Sequence, residues 1–249
     1  MSSPARPVRG SERALALLLV CALAAFALLA VSYDGRLGGF DERTAAWVAG
    51  ELPAPLEWVA RPFSWLGGWI GLTALGVAAA ALLLRERAWL DLGFFAAAYL
   101  GSQLAVALLK GGFGRARPDA GSAVELPESA AFPSGHATAG AASLGALAVL
   151  LAERLPERRQ RILVWACTLV LGLAVGLSRI ALNVHFVTDV LAGWSLGLAW
   201  LAACLLARER LRARRGVTRA APLPSARGRD DADPRPAPGG DRGPARLGP

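Results

Sequence analysis

Six apolar runs leave few folds open to this chain: Ala14–Val31, Pro62–Leu84, Trp89–Leu109, Ala137–Leu151, Ile162–Leu177 and Val187–Leu206. A helix needs about 20 residues to cross a bilayer core, so each run is a candidate span, the fourth only with help from its flanks. The expected fold is all-α, a polytopic membrane protein with six transmembrane helices and a catalytic helix-bundle core. Composition agrees, since 54% of the 249 residues are hydrophobic, too many for an ordinary soluble domain. The expected organisation is a short segment over 1–13, a six-helix domain over 14–206 and a tail over 207–249. That tail is rich in Arg, Pro, Gly and Asp and lacks apolar periodicity, so disorder is expected there, resting on anionic lipid.

A formal charge of +8 invites a nucleic-acid reading, but the basic residues sort by side of the membrane instead. With the N-terminus inside, twenty of the 27 Lys and Arg fall in inner segments: Arg6, Arg9 and Arg13, then Arg85 and Arg87, Arg154–Arg161 and the tail. This positive-inside bias predicts a plasma-membrane protein with both termini cytoplasmic and no nucleic-acid partner. The first run could be a signal peptide, because Ala25-Phe26-Ala27 resembles a cleavage site. Its apolar length exceeds the usual signal core, so a retained helix is expected. Cys21, Cys167 and Cys204 all lie in apolar runs and are read as packing residues, not disulfide or metal partners. The outer loop Ser32–Arg61, with Trp47 and Trp58 among charges and Trp65 just beyond, is expected to form interfacial helices.

The outer ends of the last four runs carry the chemistry. "LLKGGFGRARPDA" closes the third run, "FPSGHA" opens the fourth, "GLSR" closes the fifth and "NVHFVTDV" opens the sixth. Alternating topology brings these ends to one face, so Lys110, Arg117, His136, Arg179, His185 and Asp189 converge although about eighty residues separate the first from the last. Taken singly, each has a plain structural role: Lys110 as a snorkelling helix end, His185 as a satisfied interfacial histidine, Ser134 as an N-cap. Yet Lys110 is the only lysine, and His136 and His185 are the only two histidines. The group therefore implies a shared demand.

His185 and Asp189, four apart at a helix start, would share a face, the carboxylate holding one ring nitrogen and leaving the other nucleophilic. Asn183 is the candidate N-cap, and a first-turn position would disfavour the imidazolium. Lys110, Arg117 and Arg179 suit a multiply charged anion such as phosphate. Ser134 and Gly135 would present backbone N–H groups to its oxygens, and His136 would protonate a leaving oxygen.

"KGGFGRARP" (Lys110–Pro118), "PSGH" (Pro133–His136) and "SRIALNVHFVTD" (Ser178–Asp189) resemble, in type, spacing and order, the three-part signature of the type 2 phosphatidic acid phosphatase family, which shares its site with vanadium haloperoxidases. "FDERTAAW" also resembles the family's segment after the first helix. The resemblance implies a membrane lipid phosphatase that uses no metal or other cofactor. By that pattern His185 is the nucleophile and forms a phosphohistidine, Asp189 orients it, His136 is the general acid, and Lys110, Arg117, Ser134, Gly135 and Arg179 bind phosphate. Ala116, where proline is frequent, and Ala181–Asn183, in place of a stretch that often carries tyrosine and glycine, depart from the common form and bear on substrate preference. The expected substrate is a lipid phosphate or diphosphate, of the phosphatidic acid or undecaprenyl diphosphate type, at the outer membrane face. The alternatives are a vanadate-dependent haloperoxidase and a non-catalytic lipid-binding or transport protein. Gly193 and Gly197 form a small-residue pair suited to close helix packing.

Overall fold

The computed structural model describes residues 9–119, 121–122, 124–126 and 128–220. Eight helices follow one another among them, with no strand: α1 (Arg9–Ser32), α2 (Gly38–Glu51), α3 (Ala54–Gly67), α4 (Trp69–Arg85), α5 (Trp89–Phe113), α6 (Gly135–Arg154), α7 (Arg158–Ala181) and α8 (Val187–Ala220). Five of them, α1 and α5 to α8, are each long and apolar enough to cross a membrane. The other apolar run is not one straight span. It breaks at Gly68, where α3 and α4 meet at 47° and qualify only as a bent pair. Consecutive glycines at 67 and 68 and an extended backbone at Gly68 (ψ 172°) end α3 within the run, a common cause of a sharp kink.

Burial shows which helices form the middle of the bundle. The most apolar stretch of α6 is 61% buried and that of α8 50%, against 6% for α1 and 17% for α7. The outer helices show Leu, Val and Trp side chains to their surroundings, as lipid-facing helices do. In lipid, helix association has little hydrophobic drive and depends on close packing. Gly193 and Gly197 of α8 supply it: a Cβ at Gly193 would stand 2.7 Å from the Ser134 carbonyl, and one at Gly197 2.5 Å from that of Thr138. The small-residue pair therefore serves internal packing of α8 on α6.

The loop after α1 folds into α2 and α3, as its pattern predicts. Two other expectations need correcting. Cys21 and Cys167 are exposed rather than packed, and all three cysteines are free thiols. The chain also does not lose its structure at Ala207, since α8 continues to Ala220. Arg208, 1% exposed, donates to Asp91 of α5 at 2.6 Å and to Glu153 of α6 at 2.7 Å. Arg212 adds bonds to the same two carboxylates. These partners lie far away in sequence and hold the basic extension as helix. Residues 1–8 and 221–249, with the rest of the expected terminal segments, lie outside the described residues.

Candidate active site

The site forms where α5 and α7 end and α6 and α8 begin. Its floor is the start of α8. Val187 opens the helix, so Phe186 occupies the N-cap position and Asp189 is the third helical residue. The Asp189 carboxylate reaches back so that its Oδ2 accepts the Phe186 N–H at 2.9 Å, half of a capping box. Asn183 is therefore not the cap. It sits in the preceding turn at φ 52°, a left-handed conformation asparagine tolerates better than most residues. His185 likewise precedes the helix. Its pairing with Asp189, Nδ1 to Oδ2 at 3.4 Å, is made from loop to helix, not along one helical face.

On the other ring nitrogen, Arg117 Nη1 lies 3.2 Å from His185 Nε2. A guanidinium has only donors, so this contact makes Nε2 the acceptor and assigns the ring proton to Nδ1, toward Asp189. The side chain of His185 is 2% exposed. Burial, and then the charges of Arg117, Arg179 and Lys110, hold its pKa well below 6.5. The expected neutral ring is present, but burial and neighbouring cations cause it rather than a place in the helical first turn.

The other residues singled out by sequence gather round this ring. Arg117 also donates to the Val184 carbonyl at 2.7 Å and, through Nε, to the Ser129 carbonyl at 3.0 Å. Lys110, in the last turn of α5, donates to the Ser129 hydroxyl at 3.1 Å. Ser129 thus ties the two cations together. No sequence signal marks it, since it lies in an irregular loop and its role comes only from position. Arg179, in the last turn of α7, donates through Nη1 to Ser64 of α3. His136 is in electrostatic reach of Arg179, His185, Lys110 and Arg117. It lines, with Arg179, Ser64, Gly68, Trp65 and Trp69, a cavity of about 420 Å³. A Cβ at Gly68 would stand 3.3 Å from His136 Nε2, so the break between α3 and α4 gives this imidazole its room.

Ser134 occupies the N-cap of α6 but makes no capping bond. Its N–H donates to the Asp189 carbonyl at 3.0 Å, joining the starts of α6 and α8, so of the expected backbone donors this one is already used. Its hydroxyl, and Nε of Arg179, are two of only four buried side-chain polar atoms among the described residues that make no hydrogen bond. Leaving a buried donor unpaired costs about 1–3 kcal/mol. The unpaired Nε of Arg179, in electrostatic reach of Lys110 and Arg117, suits an oxyanion with several acceptor oxygens.

Two residues matter here that sequence reasoning passed over. Arg115 donates from Nη1 to Asp189 Oδ1 at 2.6 Å and from Nη2 to Asp41 Oδ2 at 2.8 Å. Asp41 is 1% exposed, so Asp189 is not the only carboxylate built into this end of the bundle. "FDERTAAW" was the available signal, without any indication that its aspartate reaches the site.

This is a helical membrane protein whose one end gathers cations, two imidazoles and unpaired donors in the manner of an oxyanion site. Residues 91–213 match the PAP2 superfamily, and the chain carries a domain of that superfamily. The chain is 41% identical over 92 residues to phosphatidylglycerophosphatase B of Bacillus subtilis (strain 168), covering 36% of this chain and 45% of that protein. It is 38% identical over 133 residues to decaprenylphosphoryl-5-phosphoribose phosphatase of Mycobacterium tuberculosis (strain CDC 1551 / Oshkosh), covering 52% of this chain and 66% of that protein. The chain thus spans about half to two thirds of the length of these relatives. Among solved structures it resembles the first transmembrane PAP2 type phosphatidylglycerolphosphate phosphatase from Bacillus subtilis. The TM-score is 0.73 at 29% identity, over 78% of this chain and 96% of that one.

Proposed function

We propose that this protein is a membrane phosphatase that removes phosphate from a lipid phosphate or diphosphate through a phosphohistidine on His185. The observation that carries the reading is the His185 ring itself, held neutral and with its Nε2 lone pair turned toward the cations. The similarity to phosphatases that act on membrane lipids supports the class of reaction.

The steps follow from the groups present. The phosphoryl group displaces Arg117 from Nε2 and is held by Arg117, Lys110, Arg179, the Ser134 hydroxyl and the N–H groups at the start of α6. With the phosphate anion bound beside it, His136 holds a proton from solvent; the Nε2 lone pair attacks phosphorus while the bond to the lipid oxygen breaks, and His136 gives that oxygen its proton. His136, now neutral, takes a proton from water, which attacks phosphorus. The P–N bond breaks, its electron pair returns to Nε2, and inorganic phosphate leaves. The cations stabilise charge that develops on the phosphoryl oxygens, usually the largest part of such catalysis. The leaving lipid oxygen lies on the His136 side, where Trp65, Trp69 and Ile70 line the adjoining cavity and suit an apolar chain.

Purified protein in detergent should release phosphate from at least one of phosphatidic acid, phosphatidylglycerol phosphate and undecaprenyl diphosphate, with EDTA present and with inhibition by orthovanadate. Base-quenched enzyme should carry labelled phosphate that survives alkali and is lost in acid, as a phosphoramidate does. Release only after magnesium is added, or label stable to acid, would overturn the mechanism.

We also infer that the site faces outward, on the distribution of arginine. In a variant lacking Cys21, Cys167 and Cys204, a cysteine at 122 should react with a membrane-impermeant thiol reagent on intact cells and one at 157 should not. The opposite pattern turns the site inward.

A further inference from the structure

The residues behind Asp189 form a second layer that reaches beyond the family match. Asp41, on α2, lies outside the matched residues 91–213. Its Oδ1 accepts the Thr188 N–H at 3.1 Å, and its Oδ2 accepts the Thr188 hydroxyl. Asp41 thus caps the first turn of α8 from 147 positions away, where Phe186 has no side chain able to do so.

The same carboxylate receives Arg115, whose Nη1 is shared between Thr188 Oγ1 at 2.8 Å and Asp189 Oδ1 at 2.6 Å. The Arg115 side chain is 8% exposed. Its guanidinium carbon stacks 4.6 Å from the Tyr33 ring centre and 4.3 Å from that of Phe186. A planar cation between two rings and bonded to two carboxylates has little freedom left. Asp189 therefore has both oxygens committed, Oδ1 to Arg115 and Oδ2 to Phe186 and His185.

We propose that Asp41 and Arg115 are positioning residues, which fix the direction of the Asp189 carboxylate and limit the negative charge it presents to His185. The proposal rests on the reading of His185 as nucleophile. An unrestrained Asp189 would turn from the ring or present its full charge to it. The ring would then lose its Nδ1–H orientation or hold a proton more readily, and either change takes the Nε2 lone pair out of use. The charged and titratable groups that bear on the ring are Lys110 of α5, Arg117 of the loop, His136 of α6, Arg179 of α7 and Asp189 of α8. Arg115 acts through the last of these and Asp41 through Arg115.

The test uses the full-length protein with Arg115→Gln, Arg115→Lys, Asp41→Asn and the double variant Asp41→Asn/Arg115→Gln, each first checked for monodispersity and melting in detergent. On a lipid phosphate that the wild type hydrolyses, Arg115→Gln should lower kcat about 10²-fold, the scale of a misplaced catalytic group, and leave KM nearly unchanged. Its acidic limb of kcat should move to higher pH, because loss of a cation favours the imidazolium. Asp41→Asn should move that limb the other way and by less. The double variant should be no worse than Arg115→Gln, since both act through one carboxylate. Arg115→Lys keeps the charge but not the fork, so it should keep the pH limb and still lose kcat. An unchanged kcat and limb in folded Arg115→Gln, a rise confined to KM, or multiplying losses in the double variant would each overturn the proposal.

A second readout does not need catalysis. With two histidines in the chain, 15N NMR resolves the ring of His185 directly once His136→Gln assigns it. The wild-type ring should be the Nδ1–H tautomer, and Arg115→Gln should raise its pKa. Identical tautomer and titration in the two proteins sink the positioning role, whereas a wild type inactive on every lipid sinks the phosphatase reading alone.

Discussion

Two buried arginines, Arg115 at the site end and Arg208 at the opposite end of the bundle, are held in nearly the same way. Each is shared by two carboxylates, Asp41 and Asp189 for the first, Asp91 and Glu153 for the second. Each stacks on an aromatic ring, Phe94 serving Arg208 at 4.9 Å. The ends differ in what surrounds them. Around Arg208, the described ion pairs set Arg154, Arg208 and Arg212 against Glu86, Asp91, Glu153 and Glu209. Around Arg115, Lys110, Arg117 and Arg179 gather as well, while among the described residues the buried carboxylates there are Asp41 and Asp189. At one end Arg208 and Arg212 meet Asp91 and Glu153, and the pairs tie α5, α6 and α8 together. The other gathers Lys110, Arg117 and Arg179 around the buried His185 ring, an arrangement that an anion suits. The same arginine chemistry therefore ties helices at one end and, on the function proposed above, serves an anion site at the other.

The sharpest way to break this comparison is His185→Ala. Folded and membrane-inserted, it should lose turnover by about 10⁴-fold or more, the scale of removing a nucleophile that works as part of a unit. Substantial phosphate release would remove His185 from its role. Next comes Arg179→Ala, which deletes one of the cations around His185. A loss of about 10²–10³-fold in kcat is expected, as for other single donors to a developing anion, with the melting temperature held or raised. A large fall in melting temperature at normal kcat would make the site end structural, like the other.

Arg208→Ala should do the reverse. It leaves Asp91 and Glu153 without their main partner, and breaking such a pair costs about 2–3 kcal/mol once their partial exposure is allowed for. The protein that stays folded should keep its kcat within about 3-fold, the tolerance for a site that is not coupled to the mutation. A selective loss of kcat would show that the two ends are not separate.

The smallest effect is in pH. Because the folded pKa of His185 is depressed below 6.5, the neutral nucleophile persists in the free enzyme as pH falls through 6.5, and kcat/KM should show no loss of nucleophile there. Stability has the opposite sensitivity. The unfolded chain takes up a proton near 6.5 that the folded ring refuses, so stability is full above that pH and declines below it. Melting temperature against pH should show this decline in the wild type and less of it in His185→Ala. An acidic limb of kcat/KM at or above 6.5 that belongs to the enzyme would mean the ring is not desolvated as described.

Much of this architecture could be read from the chain alone. Apolar length gave the spans, because crossing lipid is a demand on local composition that no tertiary contact can relax. The residues Lys110, Arg117, His136, Arg179, His185 and Asp189 were legible for a related reason: alternation of direction puts their helix ends on one face without any knowledge of packing. Some details of the elements escaped this reading. The break at Gly68 interrupts an unbroken apolar run, and the continuation of α8 beyond Leu206 depends on Asp91 and Glu153, which α8 does not contain.

What only the tertiary structure decided was the choice of partners. Arg115 is one of 27 basic residues and Asp41 one of 19 acidic ones, and nothing in the spacing of either singles out their pairing across 74 positions. The cap of α8 likewise comes from α2, whereas the local sequence offers only Asn183. Short-range signals fix where helices run and which of their ends share a face. Which charge meets which in the interior is settled by three-dimensional packing, where burying a carboxylate costs several kcal/mol unless a cation and hydrogen bonds meet it.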